Sequence, residues 1–297
     1  MSAIREPVGT AAATPPEVVR VTVPKRSTRS ELRAIKIVWK RELIRYFSDR
    51  LRIVTALVQP LLFLFVLGAG LQQLSAASTD GVDYKTIIYP GILAISVLFT
   101  AMFSAASIVW DREYGFLREM MVAPVRRSSI VIGKCLGGAT VAGTQGVIVL
   151  CLAGAVDVPY NPVMILEVLV LQALLAFAIT AFGVMIAARI KQMQSFMGVT
   201  QMVLMPMMFI SGALFPVAGL PVWLTVLNRI DPLTYAVDPM RRVVFAHLDI
   251  SSTAQHALNP GVTWWGWRVP TLLEAAVVVL LGLVMLGVAI WEFSSTD

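Results

Sequence analysis

Six stretches of mainly apolar sequence, each close to the ~20 residues that a helix needs to cross a bilayer, constrain this chain more than any other feature. They run over residues 51–74, 87–110, 129–153, 163–187, 195–215 and 271–293. The balance of residue types agrees. Only 14% of residues are charged and 57% are hydrophobic, whereas an ordinary soluble domain carries about 25% and 45–50%. The sequence therefore predicts an all-α polytopic membrane protein with six transmembrane helices. It excludes a soluble enzyme, a fibrous protein and a disordered chain. Two cysteines, Cys135 and Cys151, exclude a disulfide scaffold and a four-cysteine metal site.

The charge distribution sets an orientation. Of 24 basic residues, 19 fall in residues 1–52, 111–134 and 188–194, and the other five are Lys85, Arg229, Arg241, Arg242 and Arg268. Short cytoplasmic loops collect Lys and Arg, so both termini are expected in the cytoplasm. The net charge of +6 is thus a topology signal. No stacking platform or base-reading motif accompanies it, so no nucleic acid is expected as a partner.

Residues 1–30 lack an apolar core of signal-peptide length and read as a disordered cytoplasmic tail. Over 31–50, Leu32, Ile35, Trp39, Leu43 and Tyr46 recur at helical spacing, with Arg33, Lys36, Lys40, Arg41 and Arg45 around them. That pattern suits an amphipathic helix in the membrane interface, or alternatively a helix packed on the protein itself. Residues 51–297 then form the transmembrane domain.

Catalytic motifs are missing from the sequence. Gly133-Lys134 is followed by Cys135, and Ser128 stands where a phosphate-binding loop needs its first glycine. His247 and His256 have no third metal ligand beside them, and no Gly-x-Ser-x-Gly elbow occurs. No enzyme activity, metal or cofactor is expected of this chain. Glu167 and Glu274 lie near span ends, so the ionisable groups at depth that a proton- or sodium-driven carrier uses are not evident. Gln59, Gln145, Gln172 and Gln201 sit inside spans, as helix–helix bonds or as contacts to a polar ligand group. Six methionines, Met193, Met197, Met202, Met205, Met207 and Met208, crowd the fifth span, as packing residues or as an adaptable apolar wall.

Two segments are more specific. Residues 111–124, Asp-Arg-Glu-Tyr-Gly-Phe-Leu-Arg-Glu-Met-Met-Val-Ala-Pro, read as a short surface helix with Leu117, Met120 and Met121 on one face, stopped by Pro124. Further on, Ser211-Gly212-Ala213-Leu214-Phe215-Pro216 leads to Leu220-Pro221-x-Trp223, to Asp231-Pro232-Leu233-Thr234-Tyr235 and to Asp238-Pro239-Met240-Arg241-Arg242. Each Asp-Pro reads as a helix N-cap followed by proline at the first helical position. Broken, partly re-entrant helices are expected there, before the last span.

In order and placement these motifs resemble the membrane subunit of type 2 ABC exporters, including the daunorubicin-resistance and nodulation-factor permeases. The resemblance covers roughly residues 31–297, with Phe116 where the family often has threonine and Asp231 where it usually has asparagine. It implies a permease in the cell inner (plasma) membrane, contacting membrane lipids, that exports a drug, lipid or lipid-linked glycan. It implies a second permease copy, as a homodimer or with a related chain. Two copies of a separate ABC ATPase subunit would bind ATP and Mg. Multidrug efflux and antibiotic resistance are among the roles it suggests. By this resemblance Glu113, Gly115, Leu117 and Pro124 would couple to the ATPase. Phe99, Phe103, Gln201, Met205 and Phe209 would line the substrate path. Gly212, Pro216, Asp231, Pro232, Tyr235 and Arg241 would belong to the outer re-entrant segment. The alternative is an ATP-independent channel or secondary carrier.

Overall fold

A computed structural model describes residues 27–75, 83–116, 120, 125–214, 221–248, 259, 261–264 and 266–295. Ser27 caps α1 (Thr28–Ser48), and Asp49 caps α2 (Arg50–Leu62) by accepting from the Arg52 N–H at 3.0 Å. Pro60 lies inside α2 and cannot donate to the helical ladder. Just beyond it the helix widens into a π-helical turn, Phe63–Leu67, before continuing as α3 (Gly68–Ser75). There follow α4 (Tyr84–Glu113), α5 (Arg127–Leu150), α6 (Pro162–Arg189), α7 (Met193–Ile210), α8 (Val222–Ile230), α9 (Thr234–Phe245) and α10 (Thr271–Ser295). The 1–30 tail is described only from Ser27 onward.

Among the described residues, five helical segments are long and apolar enough to cross a membrane: Arg50–Gln72, Tyr84–Glu113, Pro162–Arg189, Met193–Ile210 and Thr271–Ser295. The expected third span, α5, is not among them. It is 24 residues long but carries Lys134, Gln145 and a run of glycines and threonines. Its polar side chains point inward, with Lys134 4% and Gln145 0% exposed. The expectation of a purely helical chain also needs correction. Thr263–Trp264 and Trp267–Arg268 pair as a small antiparallel ribbon, β1–β2, joined through Gly266.

The spine of the molecule is α4. It is buried along nearly its whole length, and α2, α3, α5, α6, α7 and α9 all pack on it. Glycines bring helices within van der Waals reach. On α5, Gly133 and Gly137 are one turn apart and meet Val38 and Glu42 of α1, a small-xxx-small contact. So α1 lies against the protein along α5, burying Val38 and Glu42 together with Tyr46 of the stripe read from the sequence, while Ile35, Trp39 and Leu43 are half-buried. Leu32, from that stripe, is exposed, as are Ile37, Ile44 and Phe47.

At the end of the bundle opposite the α4–α5 loop, the broken helices are present but their caps differ. Asp231 accepts from the Leu233 N–H at 2.9 Å and leads into α9. Asp238-Pro239 lies inside α9 and caps nothing. Asp238 is instead ion-paired with Arg242 and accepts from the Val262 N–H at 2.9 Å. Arg242 also reaches Glu274 at 3.1 Å; that carboxylate lies in the first turn of α10, near the span end as expected, and is wholly buried. Arg241 is buried and donates to the Gly212 carbonyl at 2.6 Å. Tyr235 donates to Arg229 O at 2.7 Å and accepts from Trp264 Nε1 at 3.1 Å, which fastens the ribbon to α9.

The turn after α7 reaches this network by leaning on α4 at Gly91. A Cβ there would lie 1.7 Å from the Ala213 carbonyl oxygen. Gly91→Ala is expected to destabilise the protein by about 1–3 kcal/mol, the usual scale of overpacking. Gly143→Ala, where a Cβ meets nothing within 4 Å, should gain up to about 1 kcal/mol of helix propensity. Thermal melts in detergent read both, and an unchanged melt for Gly91→Ala would contradict the close approach.

Asp231 generates a pH prediction. Burial pushes its carboxyl up to about 7, only partly opposed by the Leu233 N–H, and its Oδ2 has no hydrogen-bond partner. With its folded value above the unfolded value of about 3.9, the carboxyl takes up a proton on folding between those limits. Its cost to stability therefore appears as pH rises from about 4 to about 7. Asp231→Asn keeps the Oδ1 cap and removes the charge. The variant is expected to match the parent below about pH 4 and to melt higher at pH 8. Parallel melting curves at both pH values would refute this.

Candidate functional site

The loop between α4 and α5 gathers the charged chemistry of the chain. Lys134 enters α5 two turns from its start, inside a helix otherwise free of charge beyond Arg127. Its ammonium contacts Glu42 of α1 at 2.6 Å, Ser107 of α4 at 3.1 Å, and the Asp111 carboxylate of α4. All three charged groups are buried, at 4%, 8% and 2% exposure for Lys134, Glu42 and Asp111. Arg41 grips Asp111 with both nitrogens, at 3.0 and 3.3 Å, and Arg45 approaches it at 3.7 Å while lying over the Trp110 ring. Three helices therefore meet on one buried ion cluster. A buried charge is tolerated only when paired and hydrogen-bonded, and removing one partner of such a pair typically costs 3–5 kcal/mol.

Around this cluster, helix ends are closed by charged groups from neighbouring helices. A helix N-terminus leaves N–H groups unpaired and a C-terminus leaves carbonyls unpaired. Glu31 of α1 accepts from the Arg126 N–H at 3.0 Å and from Ser129 Oγ at 2.6 Å, at the start of α5. Glu113, the last residue of α4, accepts from the Met193 N–H at 3.3 Å, at the start of α7. Arg112 donates to the Ala187, Ala188 and Ile190 carbonyls, closing α6. Arg127 donates to Phe293 O at 3.1 Å at the end of α10, whose Glu292 pairs with Arg189 at 2.6 Å. Glu31 and Glu113 at helix starts, and Arg112 and Arg127 at helix ends, suit in sign the dipoles they face.

The sequence-predicted residues fall as follows. Glu113 and Gly115 stand at the mouth of the loop. Gly115 has φ +83° and a Cβ on it would meet nothing within 4 Å, so within the chain it supplies a left-handed turn rather than a close approach. Leu117 and Pro124 lie outside the described residues. Tyr114 and Phe116 are exposed on the end surface. Phe116 and Met120 line a hollow of about 520 Å³ against Ala34, Ile37, Val38 and Arg41 of α1, and Arg41 Nη1 reaches Met120 Sδ at 3.3 Å.

Phe99 and Phe103 stack at 6.3 Å and line a cleft between α2 and α4 with Met197 of α7. Gln201, Met205 and Phe209 are not in that cleft but on the exposed face of α7. Of the polar span residues, Gln145 accepts from Tyr46 Oη at 3.0 Å, a bond between helices, and Gln59 faces the cleft. The six methionines spread around α7, from Met208 at 2% exposure to Met202 at 79%. Gly212, Asp231, Pro232, Tyr235 and Arg241 lie together at the far end, and Pro216 is outside the described residues.

Sequence reasoning missed the Glu42–Lys134–Asp111 cluster. Its signal was Lys134 itself, one lysine within an apolar stretch, which demands a counter-charge from elsewhere in the chain. Among the described residues no cluster of three or more His, Cys, Asp or Glu could hold a metal ion.

Comparison with known proteins agrees with the geometry. The family model described as ABC-2 type transporter matches residues 33–245. A transport permease named ycf38 from Cyanophora paradoxa is 28% identical over 205 residues, 68% of this chain and 71% of that protein. Nodulation protein J of Rhizobium leguminosarum bv. viciae is 28% identical over 244 residues, 81% of this chain and 92% of its own. YbhR of Escherichia coli (strain K12), named as a multidrug ABC transporter permease, is 30% identical over 173 residues, 57% of this chain and 46% of its own. With most of its length matched and its helices membrane-spanning in length and apolarity, this chain belongs to the ABC-2 type transporter family of membrane permeases, which work with an ABC ATPase partner.

Proposed function

We propose that the chain is the membrane subunit of an ATP-driven exporter that moves an amphipathic drug, lipid or lipid-linked glycan out of the cytoplasm. Two copies form the pathway in the cell inner (plasma) membrane, beneath which two ATPase subunits bind ATP and Mg. In this reading α5 is the third of six spans, its polar side chains turned away from lipid. The basic end faces the cytoplasm with both termini, and α1 lies where headgroups meet the acyl region, its exposed Ile37, Ile44 and Phe47 toward lipid. Multidrug efflux is one role compatible with this; the name of the relative YbhR points the same way, and that of Nodulation protein J points to a different cargo.

One observation carries the reading. The α4–α5 loop is exposed at Tyr114 and Phe116, yet it is tied through Arg41, Glu31 and Glu113 to α1, α5 and α7. A push on that loop reaches α4 and α7, the helices beside the Phe99–Phe103 cleft, through hydrogen bonds and ion pairs instead of a flexible linker. That is the mechanical requirement for an ATPase docked there to change the state of the pathway.

Two experiments test it. Glu113→Ala combined with Gly115→Trp removes the cap of α7 and strains the left-handed turn. Export driven by ATP in proteoliposomes should fall at least tenfold, with ATPase binding and assembly retained. Undiminished export would exclude the loop from coupling, and export that continues without any ATPase would favour the channel or carrier reading. Lys134→Met strands two buried carboxylates and should lower stability by about 3–5 kcal/mol. Adding Glu42→Gln should recover much of that loss while ATP-driven export stays impaired. Full recovery of export in the double variant would mean that the cluster serves stability alone.

A further inference from the structure

The cleft between α2 and α4 contains a cation that the ion cluster does not use. Phe99, Phe103 and Trp110 form one wall, and Gln59 and Arg52 stand on the other, around a volume of about 500 Å³. That volume is in the range of small-molecule sites. Arg41 and Arg45 serve Asp111, and the Asp49 carboxylate on the cleft's rim accepts from the Arg52 backbone N–H. The Arg52 guanidinium forms no ion pair among the described residues, and its one side-chain hydrogen bond, to the Phe103 carbonyl, is long at 3.4 Å. Asp49 and Glu42 act on this half-buried guanidinium only at longer range, so no carboxylate touches it where burial against aromatic walls calls for one. Its planar fork matches a carboxylate or phosphate.

We propose that this cleft binds the acidic head group of an amphipathic molecule. Arg52 engages the carboxylate or phosphate, and Phe99, Phe103 and Trp110 lie along the apolar body. Acidic amphiphiles are then the substrate class of the permease. The word substrate rests on the export reading above, but binding at Arg52 needs neither ATP nor a partner subunit, so the two can fail separately.

The test uses the full-length chain in nanodiscs of phosphatidylcholine. The probe is 11-(dansylamino)undecanoic acid, compared with its neutral methyl ester. Fluorescence titration is expected to show the acid binding about ten- to hundredfold more tightly than the ester, the range of a charge-assisted bond. Arg52→Gln should erase that preference, Arg52→Lys should keep part of it, and Phe99→Ala should weaken acid and ester alike. Equal binding of acid and ester to the unaltered chain overturns the proposal, whatever the variants do. So does an acid preference that survives in a folded Arg52→Gln protein. Repeating the titration with phosphatidylglycerol in the nanodisc separates the two sources of the anion. An undisturbed acid preference supports a transported acidic amphiphile. Displacement of the probe by phosphatidylglycerol overturns the substrate assignment and identifies the occupant as a resident phospholipid.

Discussion

One buried lysine organises the end of this molecule where energy would enter. Lys134 cannot lie in an apolar helix bundle without counter-charges, and the ones it has come from two other helices, Glu42 on α1 and Asp111 on α4. The ammonium therefore fixes the depth of α1 against α5, and of α5 against α4. Gly133 and Gly137, on either side of it, let α1 come close enough for the contact to form. Remove the small residues and the charges cannot meet; remove the charges and the close packing has no register.

The same logic extends outward from the cluster. Helix termini at this end are completed by ionised side chains from neighbouring helices, Glu31, Glu113, Arg112 and Arg127. Such bonds are directional, and each joins the end of one helix to the body or end of another. A helix that tilts must break its neighbour's cap or carry that neighbour with it. The thirteen residues between α4 and α5 therefore join helices whose ends are fastened to at least four others. Nothing comparable could be built from apolar contacts alone, which slide at little cost.

Much of this was legible in the sequence, for identifiable reasons. The apolar stretches mark five of the six expected spans because length and hydropathy are local properties of a helix. The broken helices around Asp231 were visible because capping chemistry is also local, whereas residues 111–124 were read as one surface helix and the structure instead runs α4 on to Glu113 and turns at Gly115. What failed to show was long-range pairing. The stripe on α1 was read as Leu32, Ile35, Trp39, Leu43 and Tyr46, but the helix centres its buried face on Glu42, since the partner it meets is a lysine. Asp238 was read as a cap because proline follows it, yet Arg242 one turn on and the Val262 N–H claim its carboxylate. Gln201, Met205 and Phe209 were grouped with Phe99 and Phe103 by the resemblance, and in the single chain they stand on the exposed side of α7, further along the helix than Met197, which lines the cleft.

The helix α5 shows why hydropathy alone misjudges a chain of this kind. A helix in lipid needs apolar atoms only where lipid touches it. On α5 the charge and the amide are turned inward, at Lys134 and Gln145, while Leu136 and Val147 face out. Averaging over the helix mixes the two faces and places it below the apolarity of its neighbours. Polar side chains bonded across helices also do what apolar packing does weakly in a bilayer, where lipid tails compete on equal terms for any apolar surface. The bonds from Tyr46 to Gln145 and from Glu42 to Lys134 both join α1 to α5. The feature that weakens the span signal is therefore the one that holds the amino-terminal helix to the bundle. Next to the α4–α5 loop, α5 is the helix that carries the bonds holding α1 in place.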